Sequence, residues 1–256
     1  MGVKLFKDVK IGDVPRTPAQ PYYSSPALEE ARNTLLVEAL SVGYPISYVQ
    51  EQAGALVQNI IPVHKTEYEQ ISTSSKVQLA LHTEAAFHPY KPDYVMLLCL
   101  RGDPTAVTTY ANVEDIVSQL SNEILQYLQD PAYTTSVDKS FQLPGKKYRQ
   151  TTLQILKKIG SEYNMTYDED LMKPTNILAG MALGKFSKAV SECTREIVLE
   201  TGDLLVIDNN KTVHGRKPFQ PKYDGTDRWV QRMLVKKKLP PNSEMNGHIV
   251  LTKFEM

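Results

Sequence analysis

Apolar positions along the chain fall into many short runs and few long ones. Pro15, Pro18, Pro21 and Pro26 punctuate an ordered lead-in to a helix expected over about Pro26 to Val42. Ser25 can cap its free N–H groups, Pro26 suits the first turn, and Glu29 and Glu30 favour the positive end of the dipole. Gly43, with Pro45 just behind it, offers the stop. Short strands are expected at Asn59–Val63, Lys76–Leu81 and Val107–Tyr110. Tyr94–Leu100 is nearly continuous in apolar residues between Pro92–Asp93 and Gly102–Asp103–Pro104, the mark of a buried strand. Apolar residues at 113, 116, 117, 120, 124, 125 and 128 follow the helical period and predict one helix over Val113–Leu128. Residues 131–175 are polar, contain the turn Leu143–Pro144–Gly145–Lys146–Lys147, and read as a lid or insertion rather than core. Ile197–Leu199, Leu204–Asp208 and Arg228–Val235 complete the strands, with Thr201–Gly202–Asp203 a turn between the first two. Short strands with helices packed outside predict a mainly β barrel or sandwich, organised as a single domain over residues 1–256.

Composition narrows the class. Lysine plus arginine and aspartate plus glutamate number 29 each, so no net charge draws the chain to nucleic acid or anionic lipid. With 41% hydrophobic residues the chain can sustain a core. Its longest apolar runs are strand-sized, far below the ~20 residues a membrane helix needs. Met1–Asp13 lacks a signal-peptide core, which points to the cytoplasm. Cys99 and Cys193 cannot form a disulfide framework, and Cys99 is expected to be a small buried hydrophobe.

Chemistry enters at His82–Thr83–Glu84, directly after a strand. In extended chain the first and third residues point to one face, so an imidazole and a carboxylate converge. Alone this pattern is weak. His214, in Thr212–Val213–His214–Gly215–Arg216, supplies the distant third ligand of a set of two histidines and one carboxylate. Such a facial triad holds non-haem iron(II) and leaves open positions for cosubstrate and oxygen. The same ligands serve catalytic zinc, although the helical zinc motif is absent. Arg228 lies fourteen residues beyond His214, on a strand expected to pair with the metal's strand, where it can anchor a carboxylate bidentately. Arg232 shares its face. Two inward arginines beside a metal imply two anionic guests.

These residues resemble the clavaminate synthase-like branch of the iron(II)/2-oxoglutarate-dependent oxygenases. That branch includes arginine and asparagine β-hydroxylases of peptide-antibiotic pathways. The resemblance rests on Leu81–His82–Thr83–Glu84–Ala85–Ala86–Phe87–His88–Pro89, Lys91–Pro92–Asp93–Tyr94–Val95 and Leu98–Cys99–Leu100–Arg101–Gly102–Asp103. It continues in Val213–His214–Gly215–Arg216, Pro218–Phe219, Tyr223–Asp224–Gly225–Thr226–Asp227–Arg228–Trp229 and Gln231–Arg232. It implies a double-stranded β-helix (jelly-roll) fold, iron(II) on His82, Glu84 and His214, and 2-oxoglutarate and O2 as cosubstrates. It places the distal carboxylate of 2-oxoglutarate on Arg228, supported by Thr108 or Thr109, with Thr109 preferred. Arg232 would take the carboxylate of an amino-acid substrate, and the second oxygen of Glu84 its ammonium. The Ser72–Ser75 loop, with Ser74 nearest, would contact the same group. The implied reaction is hydroxylation of an unactivated carbon of a free L-amino acid with release of succinate and CO2. Desaturation, ring closure, and zinc or manganese hydrolysis by the same triad stay open as alternatives.

Other residues read as framework. His88 is expected to pack beside the site without ligating, His64 and His248 to lie at the surface, and Trp229 to face the core, away from the arginines. Asp208–Asn209–Asn210 is a turn close enough to His214 to reach a substrate. A small molecule is the expected partner; the oligomeric state is not legible.

Overall fold

A computed structural model of the chain describes residues 2–142 and 152–252. The elements begin with β1 (Val3–Phe6), α1 (Glu29–Val42), β2 (Tyr44–Tyr48), β3 (Gln58–Ile60), β4 (Leu79–His82), β5 (Tyr94–Arg101) and β6 (Thr108–Asn112). There follow α2 (Val113–Ser118), α3 (Asn122–Leu128) and five short strands: β7 (Tyr133–Thr134), β8 (Thr152–Leu153), β9 (Leu156–Ile159), β10 (Glu162–Met165) and β11 (Lys173–Pro174). The chain then runs through α4 (Ile177–Glu192), β12 (Arg195–Ile197), β13 (Leu204–Asp208), β14 (Thr212–Arg216), β15 (Trp229–Lys236), β16 (Met245–Asn246) and β17 (Ile249–Val250). The fold is mostly β with helices outside. Among the described residues no helix is long and apolar enough to cross a membrane.

Two sheets enclose the centre. The larger has eight strands in the order β1-β13-β5-β15-β2-β17-β16, with β3 also pairing β15. The smaller has four, in the order β12-β6-β14-β4. Alternation along the strands sorts the side chains into three cores. On β5, Val95, Leu97 and Cys99 face the space between the sheets, while Met96, Leu98 and Leu100 pack outward under Leu28, Ala31, Leu35 and Ala39 of the α1 region. Apolar burial on both faces accounts for the unbroken apolar run of this strand. On β15, Val230 and Leu234 point inward, and Trp229, Met233 and Val235 point toward α1. Arg228 and Arg232, on the inward parity, therefore share the space between the sheets. Ala111 and Val213 of the smaller sheet pack outward with Ile116, Leu125, Phe186 and Val190 of α2–α4.

The helix at the N-terminal side forms as its signals indicate: Ser25 accepts from the N–H of Ala27, a short 3-10 turn at Pro26–Leu28 leads into α1, and Gly43 ends it. Elsewhere the structure departs from the sequence pattern. The single helix expected over Val113–Leu128 is two, because Ser121 supplies a fresh N-cap, its hydroxyl accepting from Ile124 N–H at 3.4 Å. The described residues of the segment 131–175 are not set apart from the core: Tyr133, Ile155, Leu156, Met165, Tyr167 and Met172 are buried with the helices. The turn Leu143–Pro144–Gly145–Lys146–Lys147 lies outside the described residues. Helix α4, absent from the periodicity reading, is capped by Asn176, whose Oδ1 accepts from Ala179 N–H at 2.8 Å. Gly180 and Gly184 inside it each weaken helical propensity by about 1 kcal/mol, so packing of Ala182, Phe186 and Ala189 must hold it. Finally, β15 pairs with β5, β2 and β3, not with the metal strand β14, whose neighbours are β4 and β6. The arginines thus face the histidines across the space between two sheets.

Trp229 is fully buried, and its Nε1–H donates to Asn59 Oδ1 at 2.9 Å. Replacing it by alanine should cost about 3–5 kcal/mol, from lost burial and the cavity left behind. Urea unfolding measures this; a loss below about 1 kcal/mol would mean that the layer between α1 and the large sheet contributes little.

Candidate metal centre

A cavity of about 370 Å³ opens between the sheets, lined by residues of both. His82 ends β4, Glu84 follows in a turn, and His214 sits at the middle of β14, directly opposite His82 in the ladder. One ligand atom from each of these three residues lies within 4.8 Å of the others. His82 Nδ1 is 2.8 Å from the carbonyl of Ala80, which can only accept, so Nδ1 carries a hydrogen and Nε2 is the nitrogen left to ligate. His214 Nε2 faces Glu84 Oε2 at 3.8 Å.

Backbone detail sets this convergence. Gly215 lies where β14 slips register against β4, and a Cβ there would stand 2.5 Å from the carbonyl of Leu79. Only glycine lets the two histidine strands approach so closely. After Glu84 the chain turns through Ala85 at a φ of 50°, a left-handed conformation that a non-glycine residue holds only under constraint. Asn209 supplies the constraint. Its Oδ1 accepts from Glu84 N–H at 2.7 Å, and its Nδ2 donates to the carbonyls of Glu84 at 3.1 Å and Pro92 at 2.9 Å. The Asp208–Asn209–Asn210 turn therefore clamps a ligand's backbone and does not reach into the cavity.

Charge around the centre is paired on one side. Arg232 donates from Nη1 to Glu84 Oε1 at 2.9 Å, from Nη2 to Glu51 Oε1 at 2.8 Å, and from Nε to Gln58 Oε1 at 2.9 Å, with a further Nη2 contact to Gln58. Burial by itself would raise the Glu84 carboxyl, but Arg232 and the two histidines outweigh it and hold Glu84 below the usual carboxylate range. Burial wins at Glu51, whose carboxyl is raised despite Arg232. Glu51 Oε2 is buried, lines the cavity residue set, and has no hydrogen-bond partner. Asp138 and Asp168 also line the cavity, both raised by burial, Asp138 further by the neighbouring carboxylates.

The expected arrangement is thus corrected at four places. Arg232 is not an unpaired cation awaiting an anion: two carboxylates already hold it, and of its five N–H groups one Nη1 hydrogen stays free. By the same contact Glu84 Oε1 is occupied and is not available to an ammonium. Thr109, preferred over Thr108, shares the outward parity of Ala111 against the helices; Thr108 lines the cavity. Ser74 Oγ accepts from Arg216 Nη2 at 2.9 Å, and Ser72, not Ser74, borders the cavity. Arg228 lines the cavity as expected, and among the described residues no carboxylate lies within salt-bridge distance of it. Glu51 had no sequence signal, since Gln50–Glu51–Gln52 is an ordinary polar stretch. Cys99 is buried, His88 packs against Tyr48 without ligating, and His64 and His248 are exposed.

Two imidazoles and one ionised carboxylate on a common centre suit a divalent transition metal and leave further coordination positions for exogenous ligands. Burial also pulls the imidazoles of His214 and His88 down to about 3, from an ordinary 6.5. The unfolded chain then binds protons, between about pH 6.5 and 3, that the native chain does not. Stability of the metal-free protein should therefore fall as pH falls through this window, by about 1.4 kcal/mol per pH unit for each histidine. Urea midpoints at pH 7.5 and 5.0 test this, and His88→Gln should remove about half of the slope. A flat profile would refute it.

Residues 42–234 match the family described as "Taurine catabolism dioxygenase TauD, TfdA family". The L-lysine 3-hydroxylase of Catenulispora acidiphila is 35% identical over 203 residues, 76% of this chain and 55% of that protein. The L-asparagine oxygenase of Streptomyces coelicolor is 37% identical over 203 residues, 78% of this chain and 60% of that protein. The chain thus spans under two thirds of the length of these curated relatives. A solved structure of the non-heme iron oxygenase OrfP with Fe, succinate and (3S)-hydroxy-L-Arg superposes with a TM-score of 0.89 at 28% identity, covering 98% of this chain and 82% of that one. With the match extending from β2 through both histidine strands to the arginine strand, this chain belongs to the TauD/TfdA dioxygenase family.

Proposed function

We propose that the chain is an iron(II)- and 2-oxoglutarate-dependent oxygenase that hydroxylates an unactivated carbon of a free L-amino acid with a basic side chain. One O2 is consumed: one oxygen atom enters the substrate C–H bond, and the other enters the succinate formed as 2-oxoglutarate loses CO2. We further read the two facing sheets as a double-stranded β-helix. The observation that carries the proposal is the joint presence, in one cavity, of the His82–Glu84–His214 donor set and Arg228, a buried guanidinium with no carboxylate partner among the described residues.

Iron, when bound to His82, Glu84 and His214, would supply oxygen activation and the redox chemistry. The chain's own residues bind and orient. Arg228 and the Thr108 hydroxyl, both on the cavity lining, hold the distal carboxylate of 2-oxoglutarate. Glu51 accepts the substrate α-ammonium through its free Oε2, and the remaining Nη1 hydrogen of Arg232 reaches the α-carboxylate. Asp138, Asp168 and Asp170 line the cavity, where Lys139 is answered by Glu69 at 3.0 Å. That surplus of carboxylates favours a cationic side chain. Among the relatives' names, lysine and arginine derivatives carry such a side chain, and asparagine does not.

The test is a panel: iron(II)-loaded protein, 2-oxoglutarate and each common amino acid, with succinate and hydroxylated product measured. Succinate coupled to product is expected with lysine, ornithine or arginine, and the absence of amino-acid-stimulated succinate throughout would overturn the reading. Glu51→Gln should raise the KM for the amino acid by about 10-fold or more, the scale of a hydrogen bond to a charged group, with little change in that for 2-oxoglutarate. Arg228→Met should do the reverse, raising the 2-oxoglutarate requirement while the urea midpoint stays near that of the parent. Unchanged cosubstrate saturation would remove Arg228 from that role.

A further inference from the structure

Arg216 is a second buried cation in the same cavity as Arg228, and its charge is likewise unanswered. It lies two residues beyond His214 on β14, on the same face, opposite Thr108 in the ladder. It is 4% exposed and lines the cavity together with Thr108 and Arg228. Its donors reach only neutral oxygens: Nη2 to Ser74 Oγ at 2.9 Å, Nη1 to the Ser72 carbonyl at 3.3 Å and Nε to the Lys217 carbonyl at 3.3 Å. The guanidinium also stands 5.0 Å from the centroid of the Phe219 ring. Among the described residues no carboxylate comes within salt-bridge distance of it. Burial, and then the nearby charge of Arg228, draw its pKa down to about 9.

The contrast with Arg232 is informative. Three arginines line one cavity; Arg232 carries two carboxylates, while Arg216 and Arg228 carry none. Desolvated like charges are held together only when an anion lies between them or close by. Three of the five guanidinium N–H groups of Arg216 are engaged, so two stay available. A carboxylate offers about four lone-pair sites, enough for two guanidiniums and a hydroxyl.

We propose that Arg216 is the second cation of the cosubstrate site, holding the distal carboxylate of a 2-oxo dicarboxylate jointly with Arg228 and Thr108. This rests on the cosubstrate reading given above. It makes the preference for a dicarboxylate over a 2-oxo monocarboxylate depend on two positive charges and not one.

The experiment is calorimetric titration of 2-oxoglutarate into Mn(II)-loaded protein, which reads binding without turnover, with Mn(II) affinity measured in parallel. Arg216→Met should weaken 2-oxoglutarate binding at least 10-fold while Mn(II) affinity stays within about twofold. Arg216→Lys, which keeps the charge but not the forked donors, should fall between the two and serves where the methionine variant does not fold. Ser74→Ala, which removes only the brace, should change binding less than twofold. Unchanged binding in Arg216→Met, wild-type affinity in Arg216→Lys, or a Ser74→Ala loss as large as that of Arg216→Met would each overturn the inference. Arg228→Met separates the two readings. If it abolishes binding while Arg216→Met does not, only the role of Arg216 fails; if neither affects binding, the cosubstrate reading fails with it.

Discussion

The arrangement of the site depends on one buried charge cluster, Arg232 between Glu84 and Glu51. Glu84 belongs to the end of the small sheet and Arg232 to the middle of the large one, so their 2.9 Å contact joins the two walls of the cavity. All three side chains are under 10% exposed on their side-chain atoms. A buried charge is tolerable only when paired, and removing one member of such a pair typically destabilises by about 3–5 kcal/mol. Here the pairing does more than hold charge. It keeps Glu84 ionised against the effect of burial, and it directs one oxygen to the arginine so that the other is turned toward the histidines.

Around that cluster, the geometry of the centre is enforced by backbone and not by bulk. Gly215 permits the approach of β14 to β4, and Asn209 grips both backbone groups of Glu84 ahead of the left-handed turn at Ala85. Asn209 is fully buried and lies five residues before His214, so a single side chain couples the segments bearing the carboxylate and the second histidine. Local strain of this kind persists when the surroundings over-determine it, and here three hydrogen bonds do so.

The cavity is also electrically divided. Among its lining residues Arg216 stands near Arg228, while Asp138 stands near Asp168, Glu84 and Glu51. A guest carboxylate and a guest ammonium would be drawn to different parts of that lining by charge alone. Complementarity of this sort favours orientation and selectivity more than raw affinity.

Residue type and spacing by themselves marked His82, Glu84 and His214 as a donor set and put Arg228 and Arg232 on one face of a strand. Period-two alternation is local, so the inward parity of β15 and the double-sided burial of β5 were readable without any partner. Tertiary structure decided what each charge meets. Whether Arg232 faces a guest or a protein carboxylate depends on Glu51, 181 positions away along the chain, and no local pattern marks that residue. The choice between Thr108 and Thr109 is a matter of one-residue register, which is set by the pairing of β6 with β14 and the helices behind it. The described part of the 131–175 segment is polar with little periodicity, and it is ordered by packing against an outer face of the small sheet that exists only once the sheet has formed, whereas α4 does carry an apolar period, at Ala179, Ala182, Phe186, Ala189 and Val190.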